Sequence, residues 1–228
     1  MPLSPEDFVV ELDKDNRHAL ERIAAANASP PRSTADAKKV DAAKEVARLL
    51  QVALRNEMEA TECAAAWVGS TKEVEAKLAF AREAGDEAKH FRLIQKRLAE
   101  LGVDTSQHDP LAAGRSPLLE YLLGLKSTVE RVAAGEFTRE ALALVRNDEF
   151  ARFCETHGDT QTAKLYNDVI QPDEQHHHEL GRKLLLKLAT TDVAQKAARQ
   201  ACKRVLELAE ELQEAARKKT GMTSAPGC

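Results

Sequence analysis

Apolar residues recur with a helical period through almost the whole of this chain, and no stretch alternates as a half-buried strand would. Its 10 glycines and 8 prolines fall where turns are needed, so the pattern predicts an all-α protein. Ser4-Pro5 reads as an N-cap and first helical residue, opening a helix to about Ala26 that Ser29-Pro30-Pro31-Arg32-Ser33 breaks. A second helix is expected from about Asp36 to Val68, with Ala43, Ala47, Leu50, Leu54, Glu57, Thr61 and Ala64 on one stripe. Gly69-Ser70 closes it, and Ser70 with Glu73 fits a capping box for a third helix ending near Leu101-Gly102. These two helices form an antiparallel hairpin.

From Val103 to Ser116 the chain has no period, which suits a crossover along the length of a bundle. Ser116-Pro117 starts a helical segment to about Thr156, with a candidate interruption near Gly135. His157-Gly158-Asp159 then turns the chain into a helix reaching about Ala189, inside which Pro172 is expected to force a bulge. Two antiparallel hairpins joined by a long crossover have the topology of a ferritin-like four-helix bundle. The expected division is an N-terminal helix and linker over 1–33, the bundle over 34–190, and a C-terminal amphipathic helix with a mobile tail over 191–228. That last helix carries Val193, Ala197, Ala201, Val205, Leu208 and Leu212 on one side. It packs outside the bundle or against a second subunit, the latter making a homodimer.

With 228 residues and 43% hydrophobic content, the chain can bury a sizeable core. A net charge of -4 does not indicate nucleic-acid binding carried by charge. The four cysteines, Cys63, Cys154, Cys202 and Cys228, are spaced neither as a zinc site nor as a disulfide scaffold, which points to a reducing cytoplasm. The N-terminus lacks a signal-peptide pattern and no run of about 18 apolar residues follows, so no membrane partner is expected.

Chemistry is concentrated in two stretches, Asp86-Glu87-Ala88-Lys89-His90 and Asp173-Glu174-Gln175-His176-His177. Each places a histidine three residues after a glutamate, so carboxylate and imidazole share one helix face. A single such pair is an ordinary surface contact in a chain with 37 acidic residues and seven histidines. Two pairs on apolar stripes, one with Phe80, Ala84, Phe91 and Ile94 and the other with Ile170, Leu184 and Leu188, call for a buried partner, because an unpaired buried carboxylate costs several kcal/mol. A dinuclear site in a bundle core needs a lone glutamate from each of the two remaining helices. In the first hairpin Glu57 lies 30 residues before Glu87 on the apolar stripe, whereas Glu59 and Glu62 lie off it. In the second, Glu140 lies 34 residues before Glu174 at the matching height; Glu136, one turn lower, is its rival, and Asp148 ranks third.

Around these six, Asp86 and Asp173 are expected to accept the N–H of the histidine in the opposite motif. His178 is a weaker substitute for His177, and Cys63, Cys154, Tyr121 and Tyr166 read as packing residues. An internal echo pairs Arg55-Asn56-Glu57 and Cys63 with Arg146-Asn147-Asp148 and Cys154, and Ala76-Lys77-Leu78 with Ala163-Lys164-Leu165.

At these residues the chain resembles the ferritin-like dimetal-carboxylate superfamily, which includes rubrerythrins, bacterial ferritins, tRNA hydroxylases and the oxygenase components of aryl-CoA epoxidases. Glu57-Met58-Glu59-Ala60 is similar to the first-helix motif, Asp86 to Phe91 to the second, and Asp173-Glu174 with His177 to the fourth; the resemblance covers about residues 36 to 190. Gly85 to Gly102 and Gly158 to Gly181 resemble an uncharacterised bacterial branch in which Glu140 would be the third-helix ligand. Ala134-Gly135-Glu136 instead resembles the rubrerythrin third helix, so the choice between Glu140 and Glu136 stays open. The resemblance implies two iron ions, or manganese or an iron/manganese pair, held by Glu57, Glu87, His90, Glu140, Glu174 and His177. It implies an O2- or peroxide-activating oxidoreductase or hydroxylase, acting on a small-molecule or macromolecular substrate that the sequence does not name. Rubredoxin-type cysteine pairs are missing, so electrons would come from a separate donor protein. The alternatives are a ferroxidase-type iron-handling protein and a metal-free helical interaction protein.

Overall fold

The computed structural model describes residues 1–28, 42–220 and 224–227, and among these it is all-helical, without strands. The predicted break at Ser29–Ser33 and the predicted helix start at Asp36 lie outside the described residues. Helix α1 spans Pro5–Ala28, with Ser4 Oγ accepting the Asp7 N–H at 3.0 Å as its N-cap. Helices α2 (Ala42–Ser70) and α3 (Val74–Glu100) are joined by three residues and pack along each other, which makes them antiparallel. The buried stripe of α2 runs through Val46, Leu50, Leu54, Glu57, Ala60, Ala64 and Trp67, while Ala43 is exposed.

Two predicted boundaries move. Ser70 does not cap α3: its hydroxyl donates to the Ala66 carbonyl at 3.2 Å and finishes α2, and Glu73 occupies the N-cap without a side-chain bond to the helix. The segment expected as one helix from Ser116 to Thr156 is interrupted after α4 (Pro117–Gly124). Ser127 and Glu130 form a capping box there, with the Ser127 N–H donating to Glu130 at 2.9 Å, and it starts α5 (Thr128–Val132).

From α5 the chain passes through a π-helical segment, Ala133–Arg139, into α6 (Glu140–Thr156). His157-Gly158-Asp159 makes the predicted turn, with Gly158 at φ 84° and Asp159 capping α7 (Thr160–Leu165). A second π segment, Tyr166–Ile170, leads into α8 (Gln171–Leu188) and ends two residues before Pro172. The bulge expected at that proline is this widened turn.

Helix α9 (Asp192–Thr220) packs on α5, the first π segment and α1 of its own chain, burying Ala201, Val205 and Leu208 and leaving Val193 exposed. The tail expected to be mobile is held at 224–227: Pro226 and Gly227 are buried, the Asn56 side chain donates to the Pro226 carbonyl at 2.9 Å, and the Gly227 N–H donates to Asn147 Oδ1 at 2.7 Å. Local composition marks this segment as loose, and two distant asparagines satisfy its backbone instead. Among the described residues no helix is long and apolar enough to cross a membrane.

Two apolar layers sit at opposite ends of the helices. One gathers Trp67, Phe80, Phe137 and Leu185; the other gathers Leu54, Phe91, Ile94, Phe150 and Tyr166. Between them α2, α3, α6 and α8 bury the charged and polar side chains Glu57, Glu83, Glu87, His90, Glu140, Asn147, Glu174 and His177. Helix α8 closes on the first π segment at Gly181, where an added Cβ would lie 2.7 Å from the Glu136 carbonyl carbon and 2.8 Å from the Phe137 nitrogen. Gly181→Ala is therefore expected to destabilise the protein by about 1–3 kcal/mol in urea unfolding. The control Gly85→Ala, with open space around its Cβ, should stabilise it by roughly 0.5–1 kcal/mol.

Candidate metal centre

Glu57 projects from α2, Glu87 and His90 from α3, Glu140 from the start of α6, and Glu174 and His177 from α8. All six are 0–2% exposed. They form two overlapping groups, Glu57-Glu87-His90-Glu174 and Glu87-Glu140-Glu174-His177, in each of which one ligand atom per residue lies within 4.8 Å of the others. Glu87 and Glu174 belong to both groups. Either group could hold a metal ion.

The imidazoles are oriented by carboxylates of the opposite motif. His90 Nε2 faces Asp173 Oδ2 at 3.0 Å, which turns Nδ1 toward Glu87 Oε2 at 3.3 Å and Glu57 Oε2 at 3.4 Å. His177 Nε2 faces Asp86 Oδ2 at 3.2 Å, and its Nδ1 lies 3.7 Å from Glu174 Oε2 and 3.8 Å from Glu140 Oε2. A carboxylate at Nε2 keeps the proton there and leaves Nδ1 as the donor nitrogen. Lys89 ties the two aspartates together, donating to Asp173 and, at 3.4 Å, to Asp86. Asp86 and Asp173 thus take the positions expected of them.

Five atoms of the grouped residues lack a hydrogen-bond partner among the described residues: Glu57 Oε2, Glu87 Oε1, Glu140 Oε2, Glu174 Oε2 and His177 Nδ1. Buried carboxylate oxygens are rarely left so, since desolvating them without a partner costs several kcal/mol. The unsatisfied atoms are those a bound cation would contact, so the residues present fit a metal.

A second buried group lies beside the first and was not read from sequence. Arg139, 3% exposed, donates through Nη2 to Glu83 and, at 2.8 Å, to Glu140 Oε1, with Glu87 Oε1 3.7 Å away. Glu83 and Glu136 are both fully buried, and neither belongs to the two groups. The signal for Glu83 was available, as it precedes Glu87 by one turn on the same stripe. Arg139 had none, because its inward position depends on the π segment that contains it.

Without a bound cation this cluster holds protons. Burial, reinforced by the Glu57 charge, pushes Glu87 up to about 8, and burial pushes Glu83 up to about 7 against the pull of Arg139. Burial also lifts Glu136 and Glu174, each helped by its carboxylate neighbours. Burial disfavours the His90 cation, but the adjacent Glu57 and Glu87 carboxylates outweigh it and carry His90 up to about 12; the Glu140 and Glu174 carboxylates raise His177 in the same way. Glu140 goes the other way: burial opposes its charge, and Arg139 and the contacts to Glu174 and His177 outweigh burial and hold it low.

Residues 9–226 match the family model described as "Protein of unknown function (DUF455)". The chain belongs to this DUF455 family. No curated protein and no solved structure matches it. The matched range of this DUF455 protein contains all six grouped residues, the Glu83–Arg139–Glu136 group and most of the docked tail.

The other sequence candidates lie elsewhere. His178 Nδ1 is occupied by the Phe137 carbonyl at 2.8 Å, and Asp148 is at the surface, paired with Arg152. Glu59 is buried against the crossover, where it accepts the Ser116 N–H at 2.9 Å. Cys63 and Cys154 are buried among apolar side chains, and Tyr166 packs edge-on to Phe150 in the layer next to Glu57 and Glu174.

A sign follows for the metal-free protein. Glu83, Glu87, Glu136, Glu174, His90 and His177 all hold protons more tightly folded than unfolded, so their contribution is full at low pH and is lost as pH rises. For Glu83 and Glu87 the loss runs from 4.5 to about 7–8, and for His90 from 6.5 to about 12. Glu140 acts oppositely, losing its contribution as pH falls below 4.5. In chelator, the thermal midpoint is expected to fall between about pH 6 and pH 9, and by clearly less in protein loaded with iron or manganese. A chelated midpoint that climbs across this window would contradict the protonated cluster.

Proposed function

We propose that this DUF455 protein has the ferritin-like four-helix architecture and is a dinuclear non-haem iron, or iron/manganese, carboxylate oxidoreductase that activates O2 or peroxide. The observation that carries the reading is the pair of overlapping groups sharing Glu87 and Glu174. Two sites with two common carboxylates suit two ions side by side: Glu57 and His90 would complete one, and Glu140 and His177 the other. A lone glutamate from each of two helices with Glu-x-x-His from each of the other two is the donor set of bundle-core dimetal proteins. Hard oxygen donors with two imidazoles suit iron or manganese better than zinc.

Charge supports the same reading. Four ligand carboxylates balance two divalent ions, and Glu83 with Glu136 balances Arg139 once the pair holds a single proton. When bound, the metals would supply the electron-transfer chemistry that glutamate and histidine lack. The chain's own residues do the rest. Asp86 and Asp173 hold the imidazoles in register, the apolar layers keep bulk water from the carboxylates, and the Glu83–Glu136 pair can store a proton beside Glu140. A separate electron-donor protein would supply reducing equivalents, and the substrate would be a small molecule or a macromolecule reaching the site from a face of the bundle.

Protein purified without chelator is expected to carry about two iron or manganese per chain by elemental analysis. Glu87→Ala should reduce this to well below one, since it removes an oxygen donor from both groups. Full dinuclear occupancy in Glu87→Ala would refute the assignment. Asp173→Asn should leave the protein folded and weaken metal binding roughly 10–100-fold in chelator competition, through the orientation of His90 and the Lys89 link to Asp86.

A further inference from the structure

Three polar side chains outside the metal groups, Asn16 of α1, His178 of α8 and Cys202 of α9, end on one stretch of chain, the first π segment. The Asn16 amide donates to the Thr138 hydroxyl at 2.8 Å, and both residues are buried. His178 Nδ1 meets the Phe137 carbonyl at 2.8 Å; a carbonyl only accepts, so this nitrogen carries the proton. The His178 ring also stacks on Phe137, with centroids 4.9 Å apart. The buried Cys202 thiol donates to the Ala133 carbonyl at 3.3 Å and lies against the Thr138 hydroxyl. Neither α1 nor α9 supplies a residue to the metal groups.

A π turn is rare and short, because its wider coil forfeits the close contacts across the axis that an α-turn makes, so contacts from outside must hold it. Here they come from three other helices. The last π bond is made by Glu140 itself, whose N–H donates to the Gly135 carbonyl five residues back. The segment therefore sets the direction in which Glu140 leaves the backbone, and it carries Arg139, which holds Glu140 Oε1 at 2.8 Å. The consequence is confined to one metal group. Glu140 Oε2 lies 3.8 Å from His177 Nδ1, and His178 follows His177 directly, so α8 grips the segment next to the ligand it presents. Glu57 and His90 come from α2 and α3, to which none of the three anchoring bonds runs.

We propose that Asn16, His178 and Cys202 are positioning residues, which hold the π segment and thereby fix Glu140 for the ion it shares with His177. Helices α1 and α9, outside the four that carry ligands, are then working parts of one half of the centre. As positioning of a metal ligand this rests on the reading of the centre given above; as anchorage of the segment it stands on the three bonds. Loss of an anchor loosens the Glu140–His177 half and spares the Glu57–His90 half.

Mn²⁺ titrated into the full chain, with amide hydrogen exchange measured on the same metal-free samples, tests this. Two variants cut the anchors: His178→Ala, and Asn16→Leu with Thr138→Val, which removes both partners of a buried bond and leaves neither unsatisfied. In each, exchange over residues 133–140 is expected to rise about ten-fold or more relative to 148–156 of α6. One Mn²⁺ site should weaken about ten-fold or more while the other changes by less than about two-fold. His178→Gln, whose amide N–H can reach the Phe137 carbonyl, should bring both readouts back to within about three-fold of the unmodified chain. If one variant does not fold, the other decides. A merely structural role would weaken both Mn²⁺ sites together, and that result overturns the proposal. So does unchanged exchange in the variants, or raised exchange with both Mn²⁺ affinities intact. Failure of the centre reads differently: an unmodified chain that takes up no Mn²⁺, with exchange still raised in the variants, supports the anchorage and sinks the metal reading.

Discussion

Six glutamates and two histidines withdrawn from water in the middle of a helical protein are the constraint on which the rest of the structure depends. Among the described residues Arg139 is the permanent cation bonded to them from within the core, and the histidines contribute charge only while protonated. Such a layer is tolerated where every carboxyl has a proton, a cation or a fixed donor. The apolar layers at either end fix the spacing of the four helices that carry it, and the exposed Asp86–Lys89–Asp173 link fixes the imidazoles from outside. Packing and polar layers are therefore one design: a shift of α8 along α3 would separate His90 from Asp173 and His177 from Asp86 together.

The two π segments widen the helices where the layer needs room. The first buries all seven of its residues, bringing Glu136 and Arg139 inward just before Glu140, and Gly181 of α8 has no side chain where it meets them. π-turns of this kind are weaker than α-turns and persist where tertiary contacts hold them, often at functional sites. The second lies at Tyr166–Ile170, one turn before Glu174, so both helices of the second hairpin are widened on approach to the centre. Nothing comparable interrupts α2 or α3, which makes the two hairpins unequal despite the echo between their sequences.

Much of this was legible from residue order alone. Helix ends at Ser4-Pro5, Ser116-Pro117 and His157-Gly158-Asp159 are local chemistry, a hydroxyl or carboxylate meeting the free N–H groups of a first turn, and they stand as read. The break at Ser127 escapes a reading by apolar period because Leu122, Leu125, Val129 and Val132 keep a helical spacing across it, although Gly124 and Ser127-x-x-Glu130 mark it locally. Ser70 was misplaced because a serine near a helix end can finish one helix or begin the next, and only the backbone shows which. Gathering Glu57, Glu87, His90, Glu140, Glu174 and His177 required two inputs available in sequence: i, i+3 spacing and equal distances from two turns.

What the sequence by itself determined is the all-helical class, the two hairpins and the four heights at which inward carboxylates occur, because these follow from local spacing. Tertiary structure decided the rest, because each remaining feature depends on residues far apart in the chain meeting at one point. Glu140 rather than Glu136 joins the groups because a π segment, held open by α8 at Gly181, turns Glu136 toward Glu83. The last four described residues are docked beside Glu57 rather than a loose end, because Asn56 and Asn147, 91 positions apart in sequence, converge to satisfy their backbone.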